Sequence, residues 1–312
     1  MITKEMSCEQ IASIPVNNVL GEGVIWHPQQ QAVWWTDIEG QQLFRFKPEQ
    51  SPENGRLTQW SVPERIGSFA FVDGKGSDNE LIVAFASGLA YYNVDNGHIR
   101  WLDKPESDRP GNRFNDGRVD RYGHFWAGCM VEKGVEKGVE NSAGLYRLDC
   151  NLQITQPLDG LQISNGLCWS PDGSIMYHAD SAARQIHRYA YDEKTGQISD
   201  KQLFAETAEG IYPDGATVDA EGCVWSAQWG GRRIVRYHPN GEILSVLPVS
   251  VSQPSCVSFG GPNMDWLFIT SASKELPKNV LEIQPDAGNL LIYSTNIQGL
   301  KECFFSPMIN LP

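Results

Sequence analysis

Short apolar runs alternate with polar turns along the whole chain, with little helical periodicity anywhere. Three stretches set the pattern. Gly117-Arg118-Val119-Asp120 leads to "RYGHFWAGCM" and then "GLYRLDCN". Gly166-Leu167-Cys168-Trp169 leads to "SPDGSIMYHAD" and then "QIHRYAYDEKTG". Gly215-Ala216-Thr217-Val218 leads to "DAEGCVWSAQW" and then "RIVRYHPNGE". Weaker copies begin at Gly23, Ser68 and Ser255, which makes six units. The glycines of the three clear copies stand about 49 residues apart.

Each unit reads as a short apolar strand, a Pro/Asp/Gly turn, an aromatic-rich second strand, a link and a third strand ending in a turn. Trp, Tyr, Phe, Val and Ile dominate the strands, as residues that suit a pleated, half-buried surface do. Units of this size match the blades of an all-β, six-bladed β-propeller. Six blades account for nearly all of residues 1–312, so one domain is expected. A β-sandwich with extensions is the structural alternative, and it does not explain the period.

Composition narrows the function. Hydrophobic content of 41% is that of a globular chain. A formal net charge of −13 repels phosphate backbones and anionic lipid, which argues against nucleic acid and membrane partners. The amino-terminal stretch has no apolar core of signal-peptide length, and no apolar run is long enough to span a bilayer. The seven cysteines are odd in number and widely spaced, with no CxxC pair, so neither a disulfide framework nor a structural zinc site is expected. The chain reads as a reduced, cytoplasmic protein.

One slot carries the chemistry. Immediately before the glycine or serine that opens each unit stand Glu22, Gly67, Asp116, Asn165, Asp214 and Pro254. Asx-Gly alone is ordinary turn chemistry. Four oxygen-bearing side chains in one register are a different matter, because equivalent positions of a propeller's inner strands lie at one height around one axis. Carboxylates gathered there would repel one another and be costly to desolvate. A divalent cation removes that cost, and these hard oxygens suit Ca²⁺, Mg²⁺, Mn²⁺ or, as carboxylate, Zn²⁺.

With these residues in view the chain resembles the senescence-marker-protein/gluconolactonase family, the regucalcin-like sugar lactonases. The resemblance rests on "LGEGVIWHP", "NRFNDGRVDRYGHFWAG", "ISNGLCWSPDG" and "YPDGATVDAEGCVWSAQWGGRRIVRYHPNG" and runs over nearly the full chain. It implies a six-bladed propeller with one divalent metal on its axis, held by Glu22, Asn165 and Asp214. It further implies that Arg113 and Asn115 contact a sugar lactone and that Asp214 moves the proton. Asp116 shares the slot but would lie behind the ligands. Relatives place an acidic substrate contact after the "AG-x-M" strand. Glu132 stands near that place, at the start of the tandem "VEKGVEKGVE", a hydrophilic extension that is either a solvated turn or a cover over the pocket. Arg113 has a second reading, a structural ion pair with a neighbouring acid.

Other candidates are weaker. The six histidines, His27, His98, His124, His178, His187 and His238, are scattered, and most read as turn or surface residues. No GxSxG elbow and no Walker loop is present. Trp34, Trp35, Trp169 and Trp225 read as packing between blades, with Trp229 beside Gly230-Gly231 the one suited to stacking on a ligand. The implied activity is metal-dependent opening of a sugar lactone. The alternatives are a phosphotriesterase- or esterase-type propeller and a non-catalytic calcium-binding propeller. Which lactone, which metal and which oligomeric state are not set by the sequence.

Overall fold

A computed structural model describes residues 5–49, 52–74, 79–132 and 141–308. Its strands form six antiparallel sheets of four. The inner strands are Gly21–His27, Ile66–Phe71, Asn112–Val119, Ser164–Trp169, Tyr212–Val218 and Pro254–Gly260. Each contacts the inner strands of both neighbouring blades, the sixth reaching the first, so the sheets close into a six-bladed propeller.

The inner strands are buried on both faces, which explains their near-continuous apolar runs. Large rings fill the seams between blades. Trp126 lies 5.8 Å from Trp169, Trp225 5.3 Å from Phe259, and Trp26 stacks 5.5 Å from Phe268, measured between centroids. Each such ring contributes on the order of 2–3 kcal/mol by burial. Buried acids fix the far ends of two repeats. Asp120 accepts the indole N–H of Trp126 at 2.9 Å, and Asp219 that of Trp225 at 2.8 Å.

Two features lie outside the three-strand unit read from the sequence. Every blade has a fourth, outer strand, and these are polar and half exposed, as in Arg56–Ser61 and Gln197–Glu206. In the sixth blade the fourth strand is Cys8–Ile14, which pairs antiparallel with Leu290–Thr295 and joins the two ends of the chain. One short α-helix, Lys278–Ile283, and a 3-10 turn, Pro52–Asn54, stand among the described residues. No helix there is long and apolar enough to cross a membrane.

The carboxy-terminal segment crosses one end of the ring. Gly299 bridges to Asp219 in the fifth blade, and Phe305 to Val72, just after the inner strand of the second, on the opposite side. Between these anchors Glu302 pairs with Arg118 of the third blade, and both side chains are buried. Phe304 packs on His27 and Phe71.

Candidate functional site

All six inner strands break register with the second strand of their blade at or beside the repeated slot. The breaks fall at Glu22/Ile25, Ile66/Ser68, Phe114/Gly117, Asn165/Cys168, Pro213/Ala216 and Pro254/Cys256. A bulge re-aims the side chain it carries. The repeated slot is therefore a repeated bulge, and the glycines beside it are not in turns. Gly23 and Gly166 take left-handed φ values of 61° and 63°, which a side chain would strain. Gly215 serves close approach instead, since a Cβ there would lie 2.5 Å from Cys256 Sγ.

The bulges gather Glu22, Asp116, Asn165 and Asp214 at the hub, each at most 7% exposed. Burial drives the Glu22 carboxyl well above the usual range, and repulsion from Asp214 and Asp116 adds to it. Asp214 is driven up by burial and then by Asp116. Asp116 rises less, because Arg118 and backbone N–H groups, including that of Leu167 at 3.1 Å, offset its burial. The hub thus gathers carboxyls whose ionisation is costly there, with Arg113 as the cation that partly offsets Glu22 and Asp214.

The amides are oriented by a chain of hydrogen bonds. Asn165 Nδ2 donates to Ser181 Oγ at 2.7 Å, which in turn donates to Pro213 O at 2.6 Å, tying the fourth blade to the fifth. That directs Asn165 Oδ1 toward Asn115 Nδ2, which donates to it at 3.0 Å and to Ser164 O at 3.1 Å. Arg113 Nη1 donates to Asn115 Oδ1 at 2.8 Å and to Phe114 O at 2.9 Å. Both amide hydrogens of Asn115 are thereby committed, while one lone pair of Asn165 Oδ1 is left for another partner. Ser181 went unnoticed in the sequence because the residues at the corresponding place after the second strand, Ile38, Ala86, Gly230 and Ala272, carry no hydroxyl.

A charged rim stands at the same end of the ring. Glu132 follows the second strand of the third blade, Phe125–Val131, and receives a fork from Arg65 at 2.7 and 3.0 Å. That fork holds its carboxyl below the usual range. Arg113 Nε lies 3.4 Å from the same carboxylate, so the ion pair weighed for Arg113 is present. Residues 133–140 of "VEKGVEKGVE" lie outside the described residues.

The histidines differ from the expectation. His27, His124 and His178 are buried. His124 Nδ1 lies 3.0 Å from Asp120 Oδ2, and His178 Nε2 lies 2.8 Å from Ser164 Oγ. His178 lies within the strand Ile175–Asp180 between Tyr177 and Ala179, where no local pattern reports a partner on another strand, and His124 lies just before a strand. Trp229 is partly buried against Leu20, Ile38 and Ala272.

The donors at the hub fit a hard cation. Among the described residues no three His, Cys, Asp or Glu side chains form a group that could hold a metal, so the acids alone do not make a cage. Glu22 and Asp214 with the amide oxygen of Asn165 offer a mixed oxygen set of the kind a hard cation takes, and both carboxyls are raised by burial and by neighbouring carboxylates, a cost that a cation would relieve.

The family model described as "SMP-30/Gluconolactonase/LRE-like region" matches residues 20–273. The chain belongs to this family. Within the SMP-30/gluconolactonase family, L-arabinolactonase of Azospirillum brasilense is 36% identical over 93% of this chain and 93% of its own length. The 6-deoxy-6-sulfogluconolactonase of Pseudomonas putida is 33% identical over 93% of this chain and 96% of its own. The crystal structure of a regucalcin from Agrobacterium tumefaciens, described as a calcium-binding protein, superposes with a TM-score of 0.86 at 27% identity. It covers 95% of this chain and 97% of that one.

Proposed function

We propose that this chain is a sugar lactonase that hydrolyses an aldonolactone to its open sugar acid, with one divalent cation held by Glu22, Asn165 and Asp214. The observation that carries this is a pair of buried carboxylates, Glu22 and Asp214, close enough to repel each other, on inner strands that also carry the hydrogen-bonded amide of Asn165. Membership of the SMP-30/gluconolactonase family and the lactonase names of its relatives support the substrate class.

The cation, Ca²⁺, Mg²⁺, Mn²⁺ or Zn²⁺, would supply polarisation of the ester carbonyl and charge for the developing oxyanion. Asp214 takes a proton from the attacking water as the new C–O bond forms. It then returns that proton to the ring oxygen as the acyl C–O bond breaks. Arg113, fixed by Phe114 O and Asn115 Oδ1, presents its guanidinium to substrate oxygens. Asn115 acts chiefly by holding Arg113 and Asn165 in place, leaving one lone pair for a substrate hydroxyl. Glu132, gripped by Arg65, lies at the rim and meets the distal hydroxyls. Asp116 stands behind the ligands.

The seven cysteines are unpaired in the fold, in keeping with a reducing, cytoplasmic setting. A small-molecule lactone is the partner, and neither nucleic acid nor membrane enters the reading.

The test is Asp214→Asn, assayed on a panel of aldonolactones after subtraction of spontaneous hydrolysis. Loss of at least about 100-fold in kcat with an unchanged circular dichroism spectrum is expected. Wild-type turnover in that variant overturns the assignment. A protein that binds Ca²⁺ and opens no ester is the alternative suggested by the likeness to the calcium-binding Agrobacterium protein, and the wild-type assay separates the two.

A further inference from the structure

Five charges of alternating sign run along the rim above the hub. Lys274 Nζ lies 2.5 Å from Glu39 Oε1, and Arg65 Nη1 lies 3.5 Å from Glu39 Oε2. The same Arg65 forks onto Glu132, which reaches Arg113 at 3.4 Å. Glu39 follows Asp37, which pairs with Gly21, and Lys274 follows Ser271, which pairs with Pro254. Arg65 precedes Ile66, the first residue of an inner strand. All five residues therefore belong to the end of the ring that holds Glu22 and Asn165. They come from the sixth, first, second and third blades, so the row is built by the ring and by no single repeat.

Each cation in the row already faces a carboxylate. A phosphate or sulfonate on a substrate needs a cation it does not share, and a site is made selective by withholding one. The chain's net charge of −13 acts in the same direction. Glu39, like Glu132, faces two cations, but unlike Glu132 it does not pair with Arg113, and it belongs neither to the hub nor to the hydrogen-bond chain that orients it. Its side chain is 22% exposed, so its removal leaves no buried orphan.

Resting on the lactonase reading, we propose that Glu39 is a specificity-determining residue. By pairing Lys274 and Arg65 it makes the mouth reject lactones that carry an anionic group at the far end of the sugar. The acid sets which lactone enters; the hub sets what happens to it.

The probes are glucono-1,5-lactone and its 6-phosphate, with kcat/KM measured for each above the spontaneous rate. Wild type is expected to favour the neutral lactone. Glu39→Gln raises the ratio of phosphorylated to neutral kcat/KM by roughly three- to tenfold, the scale of a part-exposed ion pair. The gain shrinks in about 0.5 M salt, which a merely structural change would not do. Adding Lys274→Met to Glu39→Gln removes it. An unchanged ratio in Glu39→Gln, a gain that survives Lys274→Met, or a wild type that already prefers the phosphate overturns the inference and leaves the lactonase reading standing. A wild type that opens neither lactone, nor any other of the panel, overturns both.

Discussion

Asn115 Nδ2 donates to Asn165 Oδ1 at 3.0 Å, across the seam between the third and fourth blades. The bond aims the one amide oxygen at the hub. Metal-ligand orientation of this kind typically matters 10- to 100-fold, roughly, in affinity or activity. Asn115→Ala should therefore weaken binding of a divalent cation and lower kcat/KM together, by about that factor. Calorimetric titration of chelator-treated protein checks the first, steady-state kinetics the second. An unaltered cation affinity would remove Asn115 from the orienting role.

Glu22 and Asp214 bear on pH and metal. Burial, then carboxylate repulsion, raises both in the folded chain, so without metal the fold retains protons that the unfolded chain sheds near its ordinary carboxylate values. Stability of the chelated protein should then fall as pH rises above about 4, toward the raised folded values. A cation takes the place of those protons. At about 100 times its dissociation constant it adds about 2.7 kcal/mol. Thermal melts with chelator or with Ca²⁺, Mn²⁺ or Zn²⁺ should show a gain that is larger at pH 7.5 than at pH 5.5. A gain independent of pH would argue against these carboxylates as ligands.

His178 supplies a pH dependence of opposite sign. Burial above all, with help from His187 and Lys201, lowers it from 6.5 to about 3. The folded chain keeps the ring neutral, while the unfolded chain protonates below about 6.5. The contribution is present above pH 6.5 and is lost progressively between 6.5 and about 3. At pH 5 the cost is about 2 kcal/mol. Denaturant titrations at pH 7.5 and 5 should show this slope in wild type, and His178→Gln should flatten it. An equal slope in both proteins would assign it elsewhere.

The blades were legible because inner strands, buried on both faces, repeat their apolar runs with one slot in register. Glu22 was visible there because glutamate has no reason to sit in a turn. The outer strands were not legible. Gln197–Glu206 is largely exposed and shows no apolar face. Cys8–Ile14 pairs only with Leu290–Thr295, at the other end of the chain, and no local pattern reports such a partner. The rim was hidden for a related reason. Glu39, Arg65 and Lys274 lie in the links between strands, away from the repeated slot, and meet only when the ring closes.

Arg118 and Glu302 allow the sharpest stability test. Their ion pair joins the third blade to the segment that crosses the ring between the fifth and second blades. Both side chains are only 8% exposed, so losing either partner leaves the other's charge buried without its ion pair. Glu302→Ala leaves Arg118 buried with Asp116 as its remaining acid, and breaking such a pair costs about 3–5 kcal/mol. Replacing both partners, Arg118→Met with Glu302→Met, removes the orphan cation and should recover part of that loss, because apolar replacements of a buried pair are often neutral or better, while Asp116 loses the guanidinium that offsets its burial. Urea titration of wild type, the single and the double variant measures the difference. If Glu302→Ala shifts the midpoint by less than the equivalent of about 1 kcal/mol, water reaches Arg118 and the crossing segment is not sealed around it. If the double variant is no more stable than the single, the loss comes from displaced packing of Phe304 and Phe305, and the charge pair is incidental to it.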